Sequence, residues 1–577
     1  MTTKKTPPPV QSEHEDQVEQ NTHHDLPADT PAGDLTRRHF IGGAAIGVAA
    51  AASGGSFIMS HDVGAHGRDR EDWRDDRWND RNDRRDCPRS GGRKDRVLLK
   101  GGAVMSLDPN VGNYTKADVL IEGKKIIAVQ PNIRASNAQT VDCSGMIVMP
   151  GFINTHHHQY YTPQRAIIAD GNILPGDDWP QEAYNTVAGQ IWTTGRLSDN
   201  GVVIWDLGRS PYEPEDCYIA ELVASLNQIN QGVTTGIDTS QCSHTPAHTD
   251  AMIQGLMASG RRSLYDYSTG RSDQPGYEYP GAIGNETSGI GRLAKQYFSS
   301  TDQLVTLALN SASPALWPVA RHYVVPMIFH GGGPGIEQNP TLVADDQTHI
   351  HGTSLNDAQW AVVADRGMHI SIATTIEMQM GHGIPPIQKA LDLGILPSLS
   401  SDVETNMTPE MFTIMRSTFT LQRMNIHTRN RTGEANVPPL LTCYQVLKMA
   451  TIAGASAARL SSKVGTLTPG KEADIIILDG RTMNTAGFNN VPGAVVTLMD
   501  TSNVRHVMIA GAFRKWNFKL VGWNLDKLVR EVERSRDRLF ARIKSKPIPV
   551  DGLNSAPGYS PTPFGSCCVV DDYPTQQ

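Results

Sequence analysis

Met149-Pro150-Gly151-Phe152-Ile153-Asn154-Thr155-His156-His157-His158 is an apolar run that ends in three consecutive histidines. Extended back to Ile147, the run predicts a buried β-strand. Side chains alternate faces along a strand, so His156 and His158 share one face and His157 takes the other. Two imidazoles on one face at the C-terminal end of a strand can grip a single metal ion. Three adjacent histidines are costly to bury without a partner, which sets the metal reading above an exposed polar turn.

Downstream, apolar strand-like runs alternate with helical stretches: Val233–Ile237, Leu304–Leu309, Val324–Phe329, His369–Ala373 and Ile395–Leu399. That alternation predicts an α/β protein with a (β/α)8 TIM barrel, whose catalytic residues sit at the C-terminal rim of the strands. Each strand end can therefore be asked what ligand it offers. Phe329-His330-Gly331 closes one run, Thr348-His349-Ile350-His351-Gly352 the next, and Ser400-Ser401-Asp402 a later one. A His-x-His pair, a further His and an Asp form a nitrogen/oxygen set suited to zinc or iron(II), with room left for water.

On these residues the chain resembles the amidohydrolase superfamily, nearest its cytosine deaminase and chlorohydrolase-like branch. Met149 to His158 is similar to that family's first-strand signature. Val464-Gly465-Thr466-Leu467-Thr468-Pro469-Gly470-Lys471-Glu472-Ala473-Asp474 resembles the segment where relatives re-enter a β-sandwich. Gly381-His382-Gly383-Ile384-Pro385-Pro386, running through Asp402 to Met415-Arg416, is a third match. The resemblance spans about residues 96–540. It implies that His156, His158, His330 and Asp402 bind one divalent metal, zinc first and iron(II) second. It also implies that His351 stabilises the developing oxyanion or shuttles a proton, and that Asp402 doubles as the base. Two-metal relatives carry a carboxylated lysine on the fourth strand; Leu304 to Ala312 contains no Lys, which points to one metal.

One departure stands out. Deaminases of this branch carry a Glu three residues after the strand-five His, where this chain has Gly333. Glu337, Glu377 and His351 become the candidate proton donors. The expected activity is hydrolysis of a non-peptide C–N bond in a small cyclic or heteroaromatic molecule. The alternatives are a dehalogenase-like hydrolase of the same fold and a non-catalytic metal-binding relative. The His330-Gly331-Gly332-Gly333 stretch also matches an esterase oxyanion-hole motif, but no G-x-S-x-G elbow accompanies it.

Other histidines carry plainer expectations. His349 reads as packing or support for the ligands, His244 and His248 as a polar loop, and His382 as a rim residue able to touch substrate. Tyr160, Tyr161, Trp179, Tyr184, Trp192 and Trp205 suit either a lid over a planar molecule or ordinary loop packing.

Composition bounds the rest. A chain of 577 residues, 39% hydrophobic and 19% charged, can bury a large barrel core with a small satellite. A formal net charge of −8 gives no whole-chain case for nucleic acid or an anionic membrane. Seven scattered cysteines without C-x-x-C argue against a disulfide framework.

The organisation expected is a disordered segment 1–60 with a twin-arginine signal, then a charged linker 61–95. The first part of a β-sandwich follows at 96–150, the barrel at 151–460 and the second sandwich part at 461–522. A C-terminal helix at 523–545 precedes a disordered tail, 546–577. Thr36-Arg37-Arg38-His39-Phe40-Ile41, ahead of a short Gly/Ala-rich run, predicts export by the twin-arginine machinery rather than stable membrane anchoring. Sandwich strands are predicted at Val97–Leu99, Ala117–Ile121, Lys125–Val129, Ala473–Leu478, Ala494–Leu498 and Val504–Ile509. Small-molecule substrate and export machinery are the expected partners.

Overall fold

The computed structural model describes residues 87–166, 212–269, 276–278 and 280–542. The twin-arginine segment, most of the charged linker, the C-terminal tail and Trp179, Tyr184, Trp192 and Trp205 lie outside the described residues.

Five strands precede the barrel: β1 (Arg96–Met105), β2 (Asn113–Glu122), β3 (Lys125–Gln130), β4 (Gln139–Asp142) and β5 (Met146–Pro150). Eight parallel strands follow: β6 (Phe152–His157), β7 (Val233–Ser243), β8 (Arg262–Thr269), β9 (Val305–Asn310), β10 (Met327–His330), β11 (Gln347–Ile350), β12 (His369–Ile372) and β13 (Ser398–Leu399). The chain then returns with β14 (Ile475–Asp479), β15 (Val504–Ile509), β16 (Ala512–Trp516) and β17 (Lys519–Leu520). The flanking strands form one nine-stranded sheet, in the order β17-β16-β15-β14-β5-β1-β2-β3 with β4 on β1. Both flanks thus build the satellite, which encloses its own apolar cluster around Val119, Ile126, Val148, Ile475 and Met508.

The run Ile147 to Ile153, expected as one strand, is divided between two sheets. Met149 in β5 pairs antiparallel with Ile476 of β14, and three residues later the Phe152 amide donates to the Gly232 carbonyl at 3.0 Å. Gly151 is the junction. A Cβ there would lie 2.1 Å from Thr234 Cγ2, so only glycine lets the barrel and the sheet meet this closely.

The barrel is closed by its last strand. Beyond β13 the Asp402 amide donates to the His156 carbonyl (3.0 Å), and the His158 amide donates to the Asp402 carbonyl (2.8 Å). Closure and site assembly are therefore the same event. Below that rim, Ile153, Ile237, Leu264, Ala308, Ile328 and Ile350, one from each of six successive strands, pack with Ala455, Leu460 and Val464. This layer makes the barrel a filled core rather than a pore.

Two expectations need correction, and one strand was not foreseen. Ala494–Leu498 is helical, not a strand: the Asn490 side chain accepts from the Gly493 amide at 2.6 Å and Pro492 sits in the first turn. A cap and an N-terminal proline start a helix that outweighs the β preference of its valines. β10 begins only at Met327, because Val324 turns through φ 57° and is exposed. β8 had no counterpart in the sequence reading, since Arg262 and Asp266 interrupt its apolar pattern. Both are buried, and Arg262 ties the barrel to the sheet through Asp474 (2.9 Å) and Glu472 (2.6 Å).

The C-terminal helix, expected from Leu525 to Ile543, runs Leu525–Arg542. It packs on the helix Pro214–Asn230, where Ser535 Oγ donates to buried Asp216 at 2.7 Å. No helix among the described residues is long and apolar enough to cross a membrane.

Candidate metal centre

His156 ends in the barrel mouth because β6 alternates as its sequence requires. Its Nε2 lies 3.0 Å from Asp402 Oδ1, and His158 Nε2 lies 3.4 Å from the same oxygen. His330, the last residue of β10, brings Nε2 to 3.1 Å from His156 Nε2. One ligand atom from each of His156, His158, His330 and Asp402 falls within 4.8 Å of every other. His157 points the opposite way, toward Gln228 (2.5 Å) and Glu404 (3.3 Å).

The electrostatics match a cation. Burial pulls His330 well below its ordinary range, reinforced by His156 and His158. Burial lowers His156 too, although Asp402 opposes it. Burial would raise Asp402, but the hydrogen bond from His156 and the charges of His156, His351 and His158 hold it well below the usual carboxylate range. Three imidazoles and a carboxylate held toward its ionised form thus converge their ligand atoms. This donor set fits a divalent ion bound through three nitrogens and one oxygen.

His351 follows β11. Its Nε2 stands 3.6 Å from Asp402 Oδ2, and its Nδ1 donates to Glu377 Oε1 at 3.0 Å. Burial works against the charged ring, yet the Glu377 hydrogen bond and the charges of Asp402 and Glu377 raise His351 above its ordinary value. Two of these positions carry unusual backbones: φ is 67° at His351 and 60° at Asp402. Non-glycine residues held in that region cost about 1–3 kcal/mol each, a cost that gathers at functional sites.

The three candidate proton donors separate. His351 and Glu377 are inside the site. Glu377 is fully buried, its Oε1 also accepting from the Ala373 amide (2.8 Å) and its Oε2 sealed without a partner. Glu337 is exposed on the helix Gly333–Gln338 and accepts from Gln359 at 3.2 Å, so it is not brought to the centre. At Gly333 itself a Cβ would meet Gln359 Oε1 at 2.6 Å; that glutamine crowds the place a side chain would need.

The remaining histidines sort cleanly. His349 bonds the Gly331 carbonyl (2.8 Å) and packs on Phe329, as packing predicts. His248 links Thr245 (2.8 Å) to the Tyr212 carbonyl (3.0 Å) beside His244, a structural tie at the start of the helix Pro246–Ser259. His382 joins the rim, its ring 4.6 Å from that of His351, and burial pulls it down to about 4. Tyr160 and Tyr161 are buried beside His158 at ring distances of 5.8 and 6.1 Å.

Sequence reasoning missed the support for His156. Thr239 Oγ1 lies 2.8 Å from His156 Nδ1 and donates to Asp266 (3.4 Å), which also accepts from Asn310 (2.7 Å). An outer partner on the far ring nitrogen fixes the tautomer that leaves Nε2 free. No motif announces a threonine of this kind; its position at the same height on the neighbouring strand β7 was the available signal.

Comparison with known proteins agrees with this geometry. The sequence profile of the amidohydrolase family matches residues 147–513. A 5'-deoxyadenosine deaminase of Methanosarcina mazei is 24% identical over 470 residues, covering 78% of this chain and 99% of that protein. A 5-methylthioadenosine/S-adenosylhomocysteine deaminase of Syntrophobacter fumaroxidans is 25% identical over 76% of this chain and 96% of its own length. Among solved structures, a zinc-bound adenosine deaminase from Xanthomonas campestris superposes with a TM-score of 0.61 at 19% identity, covering 78% of this chain and all of its own. Atrazine chlorohydrolase from Arthrobacter aurescens in complex with zinc gives 0.60 at 21% identity over 76% of this chain and all of its own. These two likenesses establish the barrel fold. With a profile match over more than half its length and a site able to hold a metal, the chain belongs to the amidohydrolase family and is a hydrolase of non-peptide carbon–nitrogen bonds.

Proposed function

We propose that this chain hydrolyses a C–N bond in a small nitrogen heterocycle at one divalent ion held by His156, His158, His330 and Asp402. Zinc is the ion we favour, with iron(II) second. The observation that carries this is the convergence of four ligand atoms within 4.8 Å of one another at the strand ends. When bound, the ion supplies a water whose pKa is about 7 rather than 15.7.

The chain's own residues do the rest. Asp402, with Oδ2 toward His351 Nε2 at 3.6 Å, accepts the proton of the attacking water and passes it to His351. Glu377 holds Nδ1–H of His351, so Nε2 is the nitrogen that carries this proton to the departing nitrogen. The same imidazolium, once formed, stabilises negative charge developing on the attacked carbon's substituent. Glu377 is a positioning residue, standing behind His351 where no carboxylate follows His330.

The deaminase relatives support an amino-substituted purine-like ring as substrate, and the chlorohydrolase structure supports a triazine as its rival. Turnover of a panel of aminopurine nucleosides, aminopyrimidines, triazines and cyclic amides separates the readings. Ammonia or amine release without halide is the expected result. Halide or thiolate release alone identifies the displacement chemistry, and no turnover with stoichiometric bound metal identifies a binding protein.

The Arg37-Arg38 pair ahead of its mild apolar run supports export of the folded enzyme by the twin-arginine route. Replacing both with Lys should leave the enzyme in the cytoplasm of the producing cell; unchanged export defeats this reading.

A further inference from the structure

Asp402 divides its two oxygens between two sets of imidazoles. Oδ1 faces His156 (3.0 Å) and His158 (3.4 Å), whereas Oδ2 faces His351 Nε2 at 3.6 Å. A ring nitrogen of His382 completes the second set: ligand atoms of His351, His382 and Asp402 also lie within 4.8 Å of one another. The two groups share only Asp402. We propose that His351, His382 and Oδ2 of Asp402 form a second, weaker site for a borderline divalent cation such as Zn2+ or Co2+, and that filling it stops catalysis. This inference rests on the one-ion reading above.

Four further observations support it. His382 Nε2 is sealed from solvent and has no hydrogen-bond partner. The rings of His351 and His382 stand nearly perpendicular (78°), so that neither stacks over the other. The His382 backbone is held between Gly381 (φ 74°) and Gly383 (φ 115°), a turn that a non-glycine pair would strain. Behind His351, Glu377 takes Nδ1–H and leaves the Nε2 lone pair outward, the carboxylate–histidine–metal arrangement of ordinary zinc sites. Two imidazoles and one carboxylate oxygen leave a fourth position for water.

The second site must be the weaker one. Its only direct negative charge is shared with the first ion, and carboxylate-bridged ions about 3.5–4 Å apart repel each other. Inhibition follows from the geometry, because Nε2 of His351 has one lone pair. It can hold a cation or carry the reaction's proton, not both.

The test uses the full chain, stripped by chelation and dialysed against rising free Zn2+, with bound metal counted by elemental mass spectrometry. Wild type should bind two equivalents in two separate steps, and its turnover should fall as the second step fills. H382Q should bind one equivalent, keep the tighter step, and show no loss relative to its own starting activity over the same range. H351Q should lose the same second step, which keeps the test valid if H382Q fails to fold. Saturation of wild type at one equivalent, or two steps in either folded variant, overturns the second site. H158A separates the two readings: retention of the tighter step in H158A overturns the primary centre instead.

Discussion

The two faces of β6 bury histidines under opposite rules. On the barrel-mouth side, His156 and His330 bring Nε2 atoms to 3.1 Å while both burials disfavour protonation, and Asp402 lies ionised between the imidazoles. On the other side, His157 sits in a relay of donors and acceptors: Arg261 donates to Gln228, Gln228 meets His157, and Glu404 accepts from Arg165 and faces His157. Gln159 donates to Glu221 at 2.9 Å nearby. Pairing of this kind offsets part of what burial penalises, although His157 Nε2 and Glu404 Oε1 face each other without a hydrogen bond. The cluster at the barrel mouth instead gathers four ligand atoms that a cation would hold together. The same residue type, one position apart, belongs to the fold or to the chemistry according to which groups its ring faces: an amide and an arginine-paired carboxylate at His157, other imidazoles and Asp402 at His156.

The comparison breaks first at the cation side. Asp402→Ala should reduce kcat/KM by about 10³-fold or more, equivalent to roughly 4 kcal/mol of lost transition-state stabilisation, and should lower bound metal. Steady-state kinetics with metal analysis checks it; full activity in the variant would make the cluster incidental.

Next comes Glu377→Gln, which keeps an acceptor for His351 but removes the charge. A loss of about 10- to 100-fold in kcat is expected, with metal content unchanged. His351 is raised despite burial because of Glu377 and Asp402. Without that charge it titrates lower, and the kcat–pH profile should move to lower pH. A drop in rate without a shift would reduce Glu377 to packing.

On the network side, His157→Ala should leave the metal count nearly intact and cost about 1–3 kcal/mol in denaturant unfolding, by leaving the Gln228 amide short of its partner. Loss of the ion here with retention in His158→Ala would reverse the assignment of faces.

The last expected effect concerns pH. Burial pushes Asp238 from 3.8 up to about 7. The folded chain keeps a proton that the unfolded chain releases, so this stabilisation is whole below the unfolded pKa and lost as pH rises through the folded one. Unfolding measured between about pH 4 and about pH 8 should show stability falling with pH, and Asp238→Asn should flatten that slope. An unchanged slope would remove Asp238 from the account.

Much of the site was legible because its residue types are few and placed by periodicity. His156, His158, His330 and Asp402 each end an apolar strand, and barrel geometry brings strand ends together. Glu377 was visible as a carboxylate but not as the partner of His351, because the helix Thr374–Gln379 carries no motif. Thr239 was invisible: its role is to stand beside His156 on an adjacent strand, a relation absent from linear order. β8 was hidden for a related reason. Its buried Arg262 and Asp266 look like surface residues until their partners, Asp474 and Asn310, are known.

By itself, the sequence determined the alternating strands, the ligand types and the opposed direction of His157, since these depend on local backbone period and side-chain chemistry. Tertiary structure alone decided that Gly151 splits one apolar run between two sheets, that Gln359 crowds Gly333, and that Asp402 turns one oxygen to each group of imidazoles. Those outcomes depend on which distant segments pack within a few ångströms, and pairwise proximity across hundreds of residues is created only when the barrel closes.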